Sequence, residues 1–110
     1  MNDVVRNELL RVARAQEITS YSVIAPVAGI NLDTDAGRAV LARLLGEIST
    51  AEHAAGRPLL SAVVVLKGSD VPGRGFFTLA RDLGRFAGGD DMKFWVEEVK
   101  RVWDYWMTHP

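Results

Sequence analysis

Residues 56–77 read GRPLLSAVVVLKGSDVPGRGFF, and the fold turns on how this stretch is read. From Leu59 to Leu66 the chain is apolar apart from Ser61, rich in β-branched residues, and bounded by Pro58 and Lys67-Gly68. Such a run predicts a strand buried on both faces, at the centre of a small sheet. The loop that follows has two readings. Its backbone N–H groups and Arg74 could meet an anion at the start of the next helix, where the macrodipole favours negative charge. Alternatively it is a plain turn, since Pro72-Gly73 is a common turn pair and a turn is required there. The Gly-Lys-Ser/Thr ending of a P-loop is missing, and the turn is the simpler reading.

Outward from this centre the chain reads as helical. Downstream, Phe76, Leu79, Ala80 and Leu83 recur at helical spacing. After AGGDD, a turn with a capping aspartate, Trp95, Val99, Val102, Trp103 and Trp106 form the apolar stripe of a strongly amphipathic terminal helix. Upstream, NLDTDAGRAVLARLLGEISTAEHAAGRP offers Asp33, Thr34 or Asp35 as a cap. Its apolar stripe is Leu41, Leu44, Leu45, Ile48, Ala51 and Ala55, and Gly56 and Pro58 mark its end. Gly46 softens the middle of this helix by about 1 kcal/mol relative to Ala. Before it, ITSYSVIAPVAGI predicts a short strand and a short helix ending near Gly29. Val5, Leu9, Val12 and Ala13 predict a first helix over 3–16, with Asp3 as its cap.

The 110 residues suffice for one domain with a modest core, without repeats, low-complexity tracts or a long linker. Thirteen Lys plus Arg against fourteen Asp plus Glu leave a net charge of -1, so any nucleic-acid binding must come from a local patch. The absence of cysteine excludes disulfides, thiolate nucleophiles and cysteine zinc sites. The charged start carries no apolar signal core and no stretch approaches the length of a membrane span, so a cytoplasmic protein is expected.

Asp33 and Asp35 have the spacing of a paired-carboxylate metal site, but both sit where a helix needs a cap, and capping is the expected role. His53 follows Glu52 near a helix end without an evident serine or cysteine nucleophile, and His109 lies in the tail. Neither is assigned a catalytic role, and no cofactor is expected. Phe94, Trp95, Trp103, Tyr105 and Trp106 could stack unpaired bases, but their helical spacing more simply buries them in the core or in a partner's groove.

SYSVIAPVAG (20–29) followed by GRAVLARLL (37–45) resembles the DNA-binding half of alkylguanine-DNA alkyltransferases and their alkyltransferase-like relatives. That family shows Tyr-x-x-Ile/Leu-Ala-x-x-x-Gly and then Arg-Ala-Val; here the matching residues are Tyr21, Ile24, Ala25, Gly29, Arg38, Ala39 and Val40. The family's next landmark, Pro-Cys-His-Arg, is replaced by Pro58-Leu59-Leu60-Ser61, followed by Pro72-Gly73-Arg74-Gly75. Without the cysteine, alkyl transfer to this chain is excluded on chemistry alone. The helix through GEISTAEHAAG is also longer than the family's connection. The resemblance spans roughly residues 18–77, and the pattern as a whole is more closely similar to a set of uncharacterised bacterial proteins.

The resemblance implies a winged-helix-like single domain over 1–110, α+β and mostly helical with a small β-sheet. It implies that the helix from Asp35 lies in a DNA groove, that Arg38 probes or replaces a base, and that Tyr21 contacts the backbone. With Arg43 and Arg74 these make the expected nucleic-acid contacts of a non-enzymatic DNA-binding or DNA-sensing module. Asp33, Asp35 and Glu47 surround the two helix arginines, so binding is expected to be weak and salt-dependent. The alternative is a protein-interaction or accessory module, homo-oligomeric or bound to another protein through Trp95, Trp103 and Trp106. A hydrolase ranks third.

Overall fold

The computed structural model describes residues 2–109. The first apolar stripe becomes α1 (Asp3–Arg14), which buries Val5, Leu9, Leu10, Val12 and Ala13. Asn2 caps it, its Oδ1 accepting from the Val5 N–H at 3.0 Å. Asp3, expected as the cap, instead occupies the first turn, where its charge suits the positive end of the helix. A two-residue strand β1 (Thr19–Ser20) leads directly into α2 (Tyr21–Val27), and Gly29 leaves that helix at φ +71°. Next comes α3 (Asp35–Ala54), the longest helix. Thr34 caps it, so neither Asp33 nor Asp35 has the capping role expected of it. Leu41, Leu45 and Ile48 of the expected stripe are buried, whereas Ala55 falls at the exposed C-cap.

The run at 59–66 departs from its sequence reading. Leu59 to Val65 are all buried, as expected, but Leu60–Val63 form a 3-10 turn and only Val64–Val65 are extended, as β2. The sheet is one parallel pair, Thr19 opposite Val64 and Ser20 opposite Val65, with α2 and α3 as the crossover. There is no antiparallel hairpin among the described residues.

A buried apolar run looks alike in sequence whether extended or helical. What differs is where its backbone hydrogen bonds go, and here side chains replace flanking strands. Glu98 Oε2 accepts from the Leu59 N–H at 2.8 Å, Ser49 Oγ accepts from the Ser61 N–H at 3.0 Å, and Trp95 Nε1 donates to the Ala62 carbonyl at 2.9 Å.

Beyond the loop, α4 (Arg74–Asp82) buries Phe76 and Ala80, and α5 (Asp91–Thr108) starts at its expected cap Asp90, which accepts from the Lys93 N–H. Helix α5 buries Trp95, Val99, Val102 and Trp106 against α1 and the 3-10 turn. The chain is thus α+β and mostly helical, and one cluster of buried residues draws on every helix. Among the described residues no helix is long and apolar enough to cross a membrane.

Candidate functional site

Tyr21 stands at the first position of α2, between two open grooves. One groove, of about 430 Å3, is lined by Tyr21, Leu32, Asp33, Arg38, Leu66 and Lys67. The other, of about 550 Å3, runs from Tyr21 past Gly46 and Ser61 to Arg74 and Phe76. Burial pushes the Tyr21 phenol above its ordinary value, against a hydrogen bond from the Gly73 backbone that favours the ionised form. Gly73 is needed for this approach, because a Cβ there would lie 2.9 Å from the Tyr21 hydroxyl. One glycine of the Pro-Gly-Arg-Gly loop therefore serves to seat the tyrosine.

Arg38 sits one turn into α3, and its guanidinium folds back over the preceding loop. Nη1 donates to the Leu32 carbonyl at 2.7 Å and Nη2 pairs with the Asp35 carboxylate. The first half of α3 presents Ala36, Ala39, Val40 and Ala42 to solvent. Tyr21, Arg38 and Arg74 are thus gathered around two adjoining grooves. Arg43 is not: it lies with Asn2, Val40, Leu44 and Glu47 on a separate shallow surface and pairs with Glu47 at 3.9 Å. Lys67 lines the first groove together with Arg38 and is absent from the residues the sequence singles out, although a single cation closing an apolar run is visible there. Arg74 opens α4, whose cap Gly73 offers no side-chain hydrogen bond.

A second concentration of charge lies around Glu52, 14 residues beyond Arg38 and about 21 Å along the helix axis. The fully buried Glu52 pairs with Arg6 and Arg57, and the fully buried Glu98 with Arg85 and Arg101. Arg85 also donates from Nε to His53 Nδ1 at 2.9 Å and from Nη2 to the Arg57 carbonyl at 2.7 Å. This one side chain therefore joins the α4–α5 loop to the end of α3, to the following turn and to α5. His53 spends Nδ1 on that bond, and the Ser49 and Ser61 hydroxyls lie 2.6 Å from each other. The network reads as architecture, since each carboxylate oxygen holds a guanidinium or a backbone N–H.

The tryptophans are mostly structural. Trp95 and Trp106 are each 7% exposed and belong to the chain's own core, as their helical spacing predicts, so the alternative of a contact surface made by all three does not hold for these two. Arg6 and Arg14 lie over the Trp106 ring, each 5.6 Å from its centroid. Trp103 is partly exposed and donates to the Glu17 carbonyl at 3.0 Å. Among the described residues no group of three or more acidic or histidine side chains could hold a metal ion. Comparison with protein-family models, curated proteins and solved structures finds no match.

Proposed function

We propose that this chain is a non-enzymatic DNA-binding or DNA-sensing module with a winged-helix-like arrangement of helices, in which α3 enters a DNA groove. The observation that carries this reading is the clustering of Tyr21, Arg38 and Lys67 around one groove beside the exposed first half of α3. Small side chains on that half let the helix approach a base-pair edge closely, while the flanking cations meet phosphates. The parallel strand pair supplies no hairpin wing, so contacts would come from α2, α3 and the loop at Arg74.

Phosphate contacts by Arg38, Lys67 and Arg74 would give a log–log salt slope of about -2.7, that is about -0.9 for each neutralised phosphate. The test is fluorescence anisotropy of labelled duplex and single-stranded DNA over a salt series, with wild type and Arg38→Ala. Binding that weakens with salt and drops with the substitution supports the reading. No binding at low salt overturns it.

A further inference from the structure

We infer that Asp35 restrains Arg38 in the free protein, so that removing the Asp35 carboxylate tightens DNA binding through Arg38. This rests on the DNA-binding reading. A cation in the first turn of a helix faces the positive end of the macrodipole, and stability alone favours an acidic residue there. Arg38 is accommodated because Asp35 stands three residues earlier on the same helix face, as a neighbour within reach. The second restraint is the Leu32 carbonyl, 2.7 Å from Nη1.

The 31–34 loop that carries this carbonyl is turned on itself and attached to the first turn of α3. Asn31 Oδ1 accepts from the Asp33 N–H at 2.9 Å, Thr34 Oγ1 accepts from the Gly37 N–H at 2.9 Å, and the Asn31 carbonyl packs against Gly37. For the guanidinium to extend from the helix toward a base or phosphate, it must leave both partners. Asp35 itself is 98% exposed at its side chain and the Arg38 side chain 54%, so the pair is screened and readily opened. Such a restraint modulates affinity without locking the site, and it keeps the Arg38 charge neutralised by Asp35 until a stronger anion competes.

Asp35→Asn removes the carboxylate and leaves the Thr34 cap in place. An exposed pair of this kind corresponds to a change in DNA affinity of about two- to five-fold. Simple relief of repulsion between Asp35 and phosphate would also tighten binding, and a double-mutant cycle separates the two. Affinities for one labelled duplex are measured for wild type, Asp35→Asn, Arg38→Ala and the double variant. Asp33→Asn, alone and with Arg38→Ala, serves as a control on the same loop for charge removal. The expected result is a two- to five-fold gain from Asp35→Asn that vanishes in the Arg38→Ala background, while Asp33→Asn acts equally in both. An equal gain from Asp35→Asn in both backgrounds, or no gain in the first, overturns the restraint.

Nitrogen-15 NMR of the Arg38 guanidinium gives a reading independent of DNA. Its rotation should be slowed in wild type and faster in Asp35→Asn, where the Leu32 carbonyl alone still holds it; equal rotation in the two proteins also overturns the proposal. Slowed rotation together with no DNA binding by wild type overturns the DNA reading, and with it the role of the restraint.

Discussion

Two glycines in α3 should respond differently to the same substitution. Helix propensity alone predicts that Gly37→Ala and Gly46→Ala each stabilise the protein by about 1 kcal/mol. At Gly46 the space where a Cβ would stand is empty to 4 Å, so the propensity gain should survive. At Gly37 a Cβ would overlap the carbonyl oxygen of Asn31 and lie 2.9 Å from its carbon and 3.0 Å from Thr34 Oγ1. These neighbours are backbone and the capping side chain, not the free end of a flexible one.

Relief requires the 31–34 loop to lift, which costs about 1–3 kcal/mol as overpacking, or the cap to break, which costs about 1 kcal/mol. Set against the propensity gain, Gly37→Ala should gain nothing and lose up to about 2 kcal/mol net, whereas Gly46→Ala should gain about 0.5–1 kcal/mol. Urea denaturation followed by tryptophan fluorescence measures both. In thermal melts each 1 kcal/mol corresponds to a shift of about 4–8 °C for a domain of this size. A Gly37→Ala protein stabilised as much as Gly46→Ala would refute the close packing of the Asn31 carbonyl on the helix, and with it the loop position that holds the Leu32 carbonyl beside Arg38.

Glu98→Ala should cost about 3 kcal/mol, because it strands the buried Leu59 N–H and leaves Arg85 and Arg101 without their shared carboxylate. Glu98→Gln, which keeps an acceptor for Leu59, should cost clearly less; equal losses in chemical denaturation would show that charge and not the backbone bond is what matters. Tyr21 predicts a pH effect. Its phenol ionises in the unfolded chain near pH 10 but at higher pH in the fold, so the native state holds the extra proton and stability falls as pH rises through that interval. Tyr21→Phe should lack this component, and parallel pH profiles of the urea midpoint for the two proteins would contradict the burial of the phenol.

How far the sequence disclosed this arrangement depends on whether the deciding interaction was local. The cap at Asp90, the stripe of α5 and the glycine stop after α2 are readable because each depends on residues within a turn or two, whereas Asp33, Thr34 and Asp35 all offered a cap and only the structure selects Thr34. At Asn2 and Asp3 two capping residues stand side by side, and spacing alone does not choose between them. The run at 59–66 was misread for a different reason. Its conformation depends on Ser49, Trp95 and Glu98, which lie 12, 33 and 39 residues from their backbone partners. A polar Glu98 among Trp95, Val99 and Val102 was the one local sign that the terminal helix carries an acceptor into the core.

The candidate site divides along the same line. Tyr21 and Arg38 could be found from motifs, whereas Lys67 reaches their groove only because β2 pairs in parallel with β1 and carries the following residues past α2. Arg43 illustrates the converse. Five residues beyond Arg38 on a helix of 3.6 residues per turn, it is rotated by about 140° from it. A single groove cannot readily take both arginines from one straight helix, so the composition of the segment overstated its local charge. If α3 enters DNA, Arg38 leads and Arg43 can at most touch the flanking backbone, which fits the weak, salt-sensitive affinity that a chain of net charge -1 should show.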